Sequence, residues 1–431
     1  MLNALGLLKE RRFLPLFVTQ FLGAFNDNLF KTAMVLFATY SIFNDAHVEE
    51  NFNALATGLG IIPFFLLSAL SGQLADTYDK AAMIRIVKTA EIALMLFGGT
   101  GMLIAYLGFS HVGLVIMLAT VLGLGIHSTF FGPIKYAILP QHLRDDEVLG
   151  GTGLVEAATY LSILLGTVTA GWLAHDIRIA AATCFGVALI GWVTGRMVSP
   201  APRAGPKLKI NYNPITASWR LVNATLHIPR LFLSICAISF FWMIGAILII
   251  IFPPMVKNVL TADAMVASLL TATFSVGVAI GSVVINAMLN GKISAKYSPM
   301  SVILMAVILI AFWFEVTHWV PAPAGRLYHI AEFFAQTQAW FVLATLMAVA
   351  ITGGMFVVPL YAFLTTTVSK DQTARTVAAN NVVNSGAMVI GATIVIALSR
   401  FGIGSEKMLL VVAAMCLISA WIAQKLHLAC D

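Results

Sequence analysis

The stretch TQFLGAFNDNLFKTAMVLFATY, Thr19 to Tyr40, indicates the fold class. Its two ends are apolar enough to enter a lipid bilayer, whereas its middle holds Asn26, Asp27 and Asn28, with Lys31 one helical turn later. An ionisable side chain at bilayer depth costs a few kcal/mol or more, so such residues usually face the protein interior and mark a pathway. Asp27 and Lys31 share one helix face because they are four residues apart. The pattern predicts a membrane-spanning helix that presents an acid and a base side by side to an internal cavity.

The composition of the 431-residue chain indicates a polytopic helical membrane protein. Hydrophobic residues make up 60% of it and charged residues only 10%, whereas a soluble domain carries about 25% charged residues. The net charge of +6 does not indicate nucleic-acid binding, because the lysines and arginines lie in short loops beside apolar runs. The four cysteines are scattered without CxxC or other metal-ligand spacing, so neither a metal nor a cofactor is expected.

Apolar runs of about 20 residues, enough to cross a bilayer, occur twelve times. The predicted fold is therefore all-α, with transmembrane helices at residues 13–43, 52–75, 82–108, 112–139, 147–174, 178–198, 230–257, 264–289, 299–320, 338–367, 373–399 and 405–425. The excess of lysine and arginine in alternate loops predicts that both termini are cytoplasmic. A cleavable signal peptide is not expected, because the first apolar run is too long for one.

The spans fall into two similar halves. The predicted segments are an N-terminal six-helix half at 1–198, a cytoplasmic linker at 199–229 and a C-terminal six-helix half at 230–431. Leu70–Tyr78, between spans 2 and 3, resembles Leu289–Tyr297, between spans 8 and 9. In the linker, Asn213 and Pro214 predict the N-cap and first residue of a short amphipathic helix. Parallel six-helix halves with a site between them define the major facilitator architecture.

Several further polar residues within the predicted spans are candidates for substrate contact. Glu156 lies about nine residues inside span 5, and Asn384 has the corresponding place in span 11. Lys135 near the cytoplasmic end of span 4 either reaches lipid phosphates or lines the inner mouth of the cavity. Lys88 and Glu91 are expected to form a structural ion pair because they are three residues apart, and His127 is interpreted as an interior histidine. The predicted substrate-binding residues are Asp27, Asn28, Lys31, Lys135, Glu156 and Asn384.

The segment from Gly72 to Lys80 resembles the cytoplasmic-loop signature of major facilitators, Gly-x-Leu-Ala-Asp-x-x-Gly-Arg. Gly72 and Asp76 match the signature, Lys80 keeps its basic charge, and Asp79 replaces the usual glycine. The resemblance implies a cytoplasmic gate in which Asp76 caps a neighbouring helix and pairs with Lys80 or Arg85. The alternative is a turn that only satisfies its own charges.

Catalytic functions find no support in the sequence. A P-loop, HExxH and GxSxG are all absent, and the chain has no stretch for a soluble catalytic domain. We therefore expect no catalytic residues and no enzyme activity. A receptor or assembly factor without transport is disfavoured, because charges in both spans 1 and 5 are costly without a pathway.

The run FLPLFVTQFLGAFNDN, Phe13 to Asn28, strongly resembles the bacterial lysophospholipid transporters of the major facilitator superfamily. Further resemblances are PIKYAIL at Pro133–Leu139, GLVEA at Gly153–Ala157 and FVVPL at Phe356–Leu360. The Asn-Asp-Asn triplet and the pair in span 3 are most similar to members fused to an acyltransferase and an acyl-acyl-carrier-protein synthetase.

The resemblance implies alternating-access movement of lysophospholipids, chiefly lysophosphatidylethanolamine, to the cytoplasmic leaflet of the bacterial inner membrane. It also implies functional coupling to a lysophospholipid acyltransferase, with membrane lipids as the other partners. The family's first-span aspartate matches Asp27, its fourth-span lysine Lys135 and its fifth-span glutamate Glu156. A span-7 arginine is missing after Trp242, so Lys31 is a candidate for the cationic role. The alternative is a proton-coupled exporter of amphipathic small molecules, with Asp27 and Glu156 as proton carriers.

Overall fold

The structure, a computed structural model, describes residues 6–202, 210–289, 294–366 and 370–430. Within these ranges twelve helices of at least 20 residues follow one another without any strand, and they match the twelve predicted spans in order. The all-α prediction is therefore confirmed. The helices are α1 (Leu14–Phe37), α2 (Ala46–Thr77), α3 (Lys80–Tyr106), α4 (Ser110–Ala137), α5 (Asp145–Leu173), α6 (Ile177–Arg196), α7 (Pro229–Asn258), α8 (Ala264–Met288), α9 (Ser298–Thr317), α10 (Thr337–Thr366), α11 (Lys370–Arg400) and α12 (Ser405–Cys430).

Five short helical segments connect or flank these long helices. The connection between α1 and α2 contains one π-helical turn, and the helix predicted in the linker is present. The segments are Gly6–Lys9, Ala38–Ile42, Leu139–His142, Pro214–Leu226 and Ile330–Ala335.

Capping side chains explain where several helices begin. Helix α2 starts at Ala46 rather than at residue 52 because the Asp45 carboxylate accepts two hydrogen bonds from N–H groups of the first turn. The Asp79 carboxylate caps α3 in the same way. In the linker, the Asn213 side chain accepts from two N–H groups of the Pro214–Leu226 helix. The predicted start of that helix is confirmed.

The chain forms two compact units. The first unit comprises Met1–Phe37 and Leu66–Ser218, and the second comprises Ala38–Phe65 and Trp219–Asp431. Helix α2 contributes to both, because its residues up to Phe65 group with the second unit. The predicted bounds of the two halves and the linker remain a prediction.

The packing of helices inside the two units repeats. In the first unit α1 packs against α5 and α6, while α3 packs against α4 and α6. In the second unit α7 packs against α11 and α12, while α9 packs against α10 and α12. The same pairs therefore recur six helices later, as the internal repeat in the sequence predicts. The α1–α5 contact is tight at Gly166, where a Cβ atom would lie 2.6 Å from the carbonyl oxygen of Phe25.

Apolarity is unevenly distributed over the helices. Among the described residues, nine helices are long and apolar enough to cross a membrane on length and composition, namely α2, α4 and α6 to α12. The other three long helices, α1, α3 and α5, contribute to the first unit. Helices α1 and α3 hold Asp27, Lys31, Lys88 and Glu91, and the described part of α5 contains the shorter apolar stretch Leu161–Leu173. Helices α1 and α3, which carry these charged residues, both pack against α6.

Candidate functional site

A chain of buried polar side chains links α1, α3 and α4 in the first unit. Lys88 forms an ion pair with Glu91, and the His127 Nε2 atom lies 3.3 Å from Glu91 Oε2. The other ring nitrogen, Nδ1, lies 3.5 Å from the hydroxyl oxygen of Ser128. That hydroxyl donates a hydrogen bond to Asp27 Oδ2. These five residues form one connected series, which is called the polar chain below.

The ion pair between Lys88 and Glu91 confirms the pairing predicted from their spacing. The two side chains are 1% and 0% exposed. A buried ion pair offsets its desolvation only when further hydrogen bonds satisfy the remaining atoms. Asn26 supplies such a bond, since its Nδ2 donates to Glu91 Oε1 at 3.0 Å. His127 is an interior histidine, as the sequence indicates, and it contacts the same carboxylate.

Three glycines make room for the Lys88 side chain. A Cβ atom at Gly191 of α6 would lie 2.8 Å from Lys88 Nζ, and one at Gly195 would lie 3.1 Å from Lys88 Cγ. On α1, a Cβ atom at Gly23 would lie 3.4 Å from the same ammonium nitrogen. The ammonium therefore fits between α1 and α6 because these positions lack side chains. Gly191 and Gly195 are four residues apart and so share one face of α6. This spacing is the sequence signal that could have revealed the space for Lys88.

Asp27 and Lys31, which the sequence places side by side on one helix face, form no ion pair with each other in the described structure. The spacing of four residues allows contact, but the Asp27 carboxylate is turned towards α4, where Ser128 binds it. Its other oxygen, Oδ1, is buried without a hydrogen-bond partner among the described residues. Lys31 is half-buried and makes no ion pair within the described ranges. Asn28 donates to the Ala24 carbonyl of its own helix at 2.8 Å.

A second polar contact joins α1, α4 and α5. The Lys135 ammonium donates to the Thr159 hydroxyl at 3.2 Å, and that hydroxyl donates to Gln20 Oε1 at 3.1 Å. The Lys135 side chain is therefore directed between helices. This direction supports a place in the protein interior rather than a contact with lipid phosphates. The side chain of Glu156 lies outside the described residues, so its predicted role remains a prediction.

The second unit holds a polar cluster without any charge on α7, α10 and α11. Ser239 donates to Asn384 Oδ1 at 2.8 Å, and Asn384 Nδ2 donates to the Tyr361 hydroxyl at 3.3 Å. The indole N–H of Trp242 donates to the same hydroxyl at 2.7 Å. Asn384, predicted as a substrate residue, is therefore buried and engaged by its own unit. Sequence reasoning missed Tyr361, although a tyrosine inside an apolar span needs a polar partner.

A charged cluster of the second unit lies where α1 and α2 connect. The Lys257 ammonium donates to the carbonyl oxygens of Thr39 and Phe43 at 2.6 and 2.7 Å, and it pairs with the buried Glu49. Asn258 donates to the other oxygen of that carboxylate at 2.6 Å. Sequence reasoning missed this cluster, because Lys257 and Asn258 lie more than 200 residues from the groups that they bind.

The predicted cytoplasmic gate is partly described. The side chain of Asp76 lies outside the described residues, and a Cβ atom at Gly72 would meet nothing within 4 Å. Lys80 begins α3 and its N–H donates to the Ala201 carbonyl at 3.0 Å. Arg85 donates to the Val198 carbonyl at 3.4 Å. These two contacts hold the start of α3 against the segment that follows α6, and the gate itself remains a prediction.

Asp79, which replaces the usual glycine of the signature, has a structural role. Its carboxylate accepts from the N–H of Ala82 at 2.8 Å and from that of Ala201 at 3.2 Å. The substitution therefore caps α3 and fixes the same following segment.

Known proteins with similar sequences include lysophospholipid transporters. The lysophospholipid transporter LplT of Serratia proteamaculans strain 568 is 25% identical over 367 residues, which cover 83% of this chain and 80% of that protein. The lysophospholipid transporter LplT of Escherichia coli strain SE11 is 25% identical, with 95% of each chain covered. The resemblance drawn from the first span is thereby confirmed along most of the chain.

Solved structures show the same fold. A bacterial homologue of the lysosomal transporter Spinster, in an inward-facing and unoccupied conformation, aligns with a TM-score of 0.67, 13% identity and 98% coverage of both chains. A D-xylose–proton symporter aligns with a TM-score of 0.67, 14% identity and coverage of 96% of this chain and 98% of that one. The family model of the Major Facilitator Superfamily matches residues 16–392. The chain is a multi-pass membrane protein that belongs to the Major Facilitator Superfamily.

Proposed function

We propose that the protein moves lysophospholipids of the lysophosphatidylethanolamine type to the cytoplasmic leaflet of the bacterial inner membrane by alternating access. The similar transporters named for lysophospholipids support this substrate class, since they align with most of the chain. Both termini are cytoplasmic in this proposal, and an acyltransferase consumes the delivered lipid.

The observation that supports this function most is the state of the two charges on α1. Within the described residues, Asp27 keeps one buried oxygen without a partner, and Lys31 makes no ion pair. A lysophosphatidylethanolamine headgroup carries an ammonium and a phosphate a few ångströms apart. Side chains four residues apart on a helix have Cβ atoms about 6 Å apart. The carboxylate can therefore accept from the ammonium while the lysine donates to the phosphate.

The remaining predicted residues have supporting roles in this proposal. Asn28 lies beside the pair on α1, Lys135 and Glu156 extend the charged surface of the first unit, and Asn384 offers neutral hydrogen bonds. Entry and exit are controlled by the proposed cytoplasmic gate, which comprises Gly72, Asp76, Lys80 and Arg85.

Uptake of labelled lysophosphatidylethanolamine into spheroplasts that express the chain tests the proposal. We expect uptake well above that of spheroplasts without the chain, and the same uptake after an uncoupler collapses the proton gradient. Strict dependence on the gradient would favour the second candidate, a proton-coupled exporter of amphipathic molecules, which the ionisable polar chain makes chemically feasible. Absence of lysolipid movement with a correctly inserted chain would refute the proposed function.

A further inference from the structure

The helix Pro214–Leu226, called the linker helix below, is tied at both ends to the membrane surface. Two residues separate its last residue from α7, which is long and apolar enough to cross a membrane, and a connection of this length reaches about 10 Å at most. Just before the linker helix begins, the backbone N–H of Asn211 donates to Gln73 Oε1 at 2.8 Å, within the last two turns of α2. The linker helix therefore lies close to the ends of membrane-spanning helices.

One face of the linker helix carries large apolar side chains that the protein does not cover. Ile215 and Trp219 are four residues apart and so share this face, and they are 69% and 68% exposed. Ala217 and Ser218, which lie on other faces, are buried. Ile215 and Trp219, called the apolar stripe below, are thus left without a partner in the protein. Tryptophan is enriched at the interface between membrane and water, which favours a lipid partner.

The sequence around the linker helix is basic. The whole stretch from Ile177 to Ala262 contains no aspartate or glutamate. Arg220, directly after the apolar stripe, is exposed and makes no ion pair within the described ranges, whereas Arg178 and Arg326 pair with acids of their own loops. The guanidinium of Arg220 is therefore free to bind an anion outside the protein. The basic residues between the two flanking helices, or at the start of the second, are Arg203, Lys207, Lys209, Arg220 and Arg230.

We propose that the linker helix binds anionic phospholipids, with the apolar stripe inserted at the boundary of the acyl chains and Arg220 bound to a headgroup phosphate. A helix with apolar side chains on one face and basic residues beside them lies in the plane of the interface. Anionic lipids attract basic segments that lie next to a membrane-spanning helix, and a guanidinium can donate two parallel hydrogen bonds to one phosphate. This inference goes beyond the proposed function and does not depend on it.

Quenching of tryptophan fluorescence by brominated lipids tests the inference on the purified full chain in nanodiscs. The nanodiscs contain equal amounts of phosphatidylglycerol and phosphatidylcholine, and only one of these two lipids is brominated in each sample. The difference in emission between the unaltered protein and Trp219→Phe isolates the signal of Trp219 among the 8 tryptophans of the chain. We expect brominated phosphatidylglycerol to quench this signal more strongly than brominated phosphatidylcholine does.

Two further variants separate the contribution of charge from that of the apolar stripe. In Arg220→Gln, Trp219 should still be quenched, but the preference for phosphatidylglycerol should fall by up to about fivefold, the effect of one basic residue near an anionic surface. The matched control is Lys407→Gln, which removes an exposed lysine at the start of α12 and should leave the preference unchanged. Salt at about 1 M, where the Debye length is about 3 Å, should reduce the preference in the unaltered protein.

Three outcomes would overturn the inference. Equal quenching of Trp219 by the two brominated lipids would refute recognition of anionic headgroups. An undiminished preference in Arg220→Gln would refute the headgroup contact of that residue. A Trp219 signal that neither lipid quenches would show that the apolar stripe faces water or a protein partner. None of these outcomes bears on the uptake of lysophospholipids, so failure of this inference is distinguishable from failure of the proposed function.

Discussion

The two units meet the same physical problem, polar groups inside membrane-spanning helices, in different ways. The first unit gathers ionisable groups, since Lys88, Glu91, His127 and Asp27 form its polar chain. The second unit uses a neutral cluster on α7, α10 and α11, and its buried ion pair between Lys257 and Glu49 lies at helix ends. Two helices of each cluster occupy corresponding places in the repeat, α1 with α7 and α4 with α10, because the packing pairs recur six helices later. The repeat therefore preserves the backbone arrangement without preserving the charge.

This difference has an energetic consequence. A buried charge that loses its partner costs about 3–5 kcal/mol, whereas a neutral hydrogen bond contributes only about 0.5–1.5 kcal/mol. The ions of the first unit must therefore stay compensated in every state that the protein visits. The neutral cluster of the second unit can exchange partners at lower cost. The comparison supports the proposal that charge recognition belongs to α1.

The largest expected effect is on stability and concerns the ion pair of the first unit. Lys88→Met leaves the buried Glu91 carboxylate with one cation fewer, so we expect a loss of about 3–5 kcal/mol in the free energy of unfolding. Unfolding in mixed detergent micelles measures it. The matched control is Arg326→Gln, which removes an exposed pair with Glu332 and should cost less than about 1 kcal/mol. Equal effects of the two changes would contradict the account.

An intermediate effect on stability is expected where the Lys88 side chain passes between α1 and α6. In Gly191→Ala the new methyl group would lie 2.8 Å from Lys88 Nζ, and overpacking of this kind costs about 1–3 kcal/mol. The control on the same helix is Gly186→Ala, where a Cβ atom meets nothing within 4 Å. Thermal unfolding of both variants measures the loss of stability. A Gly191→Ala variant as stable as the unaltered protein would show that the space around the Lys88 side chain is not tight.

The stability effect expected in the second unit is no larger than that at Gly191. Tyr361→Phe removes the acceptor for the Trp242 indole and the Asn384 amide, so we expect a loss of about 1–3 kcal/mol from the unsatisfied donors. Tyr212→Phe, at an exposed tyrosine, serves as the control. If Tyr361→Phe proves more damaging than the change at Lys88, the contrast between the two units is wrong.

The sequence predicts the helices and local pairings better than the contacts between helices. Apolar runs indicate the twelve spans, and the three-residue spacing of Lys88 and Glu91 predicts their ion pair. By contrast, the hydrogen bond from the Ser128 hydroxyl to the Asp27 carboxylate joins residues 101 positions apart. Such a contact depends on how each helix is rotated about its axis, which periodicity alone does not specify. For the same reason the spacing in the sequence places Lys31 beside Asp27 but does not reveal Ser128, which lies on another helix.

The central claim, that α1 recognises the headgroup through two separate charges, is tested most directly by uptake of two lysolipids. Spheroplasts expressing Asp27→Asn should lose about tenfold or more of lysophosphatidylethanolamine uptake, equivalent to about 1.4 kcal/mol, and should keep lysophosphatidylglycerol uptake. Lys31→Met should reduce both, because both lipids carry the phosphate. The exposed residues Asp45 and Lys407 supply the controls Asp45→Asn and Lys407→Met. Unchanged lysophosphatidylethanolamine uptake by a correctly inserted Asp27→Asn would contradict the account.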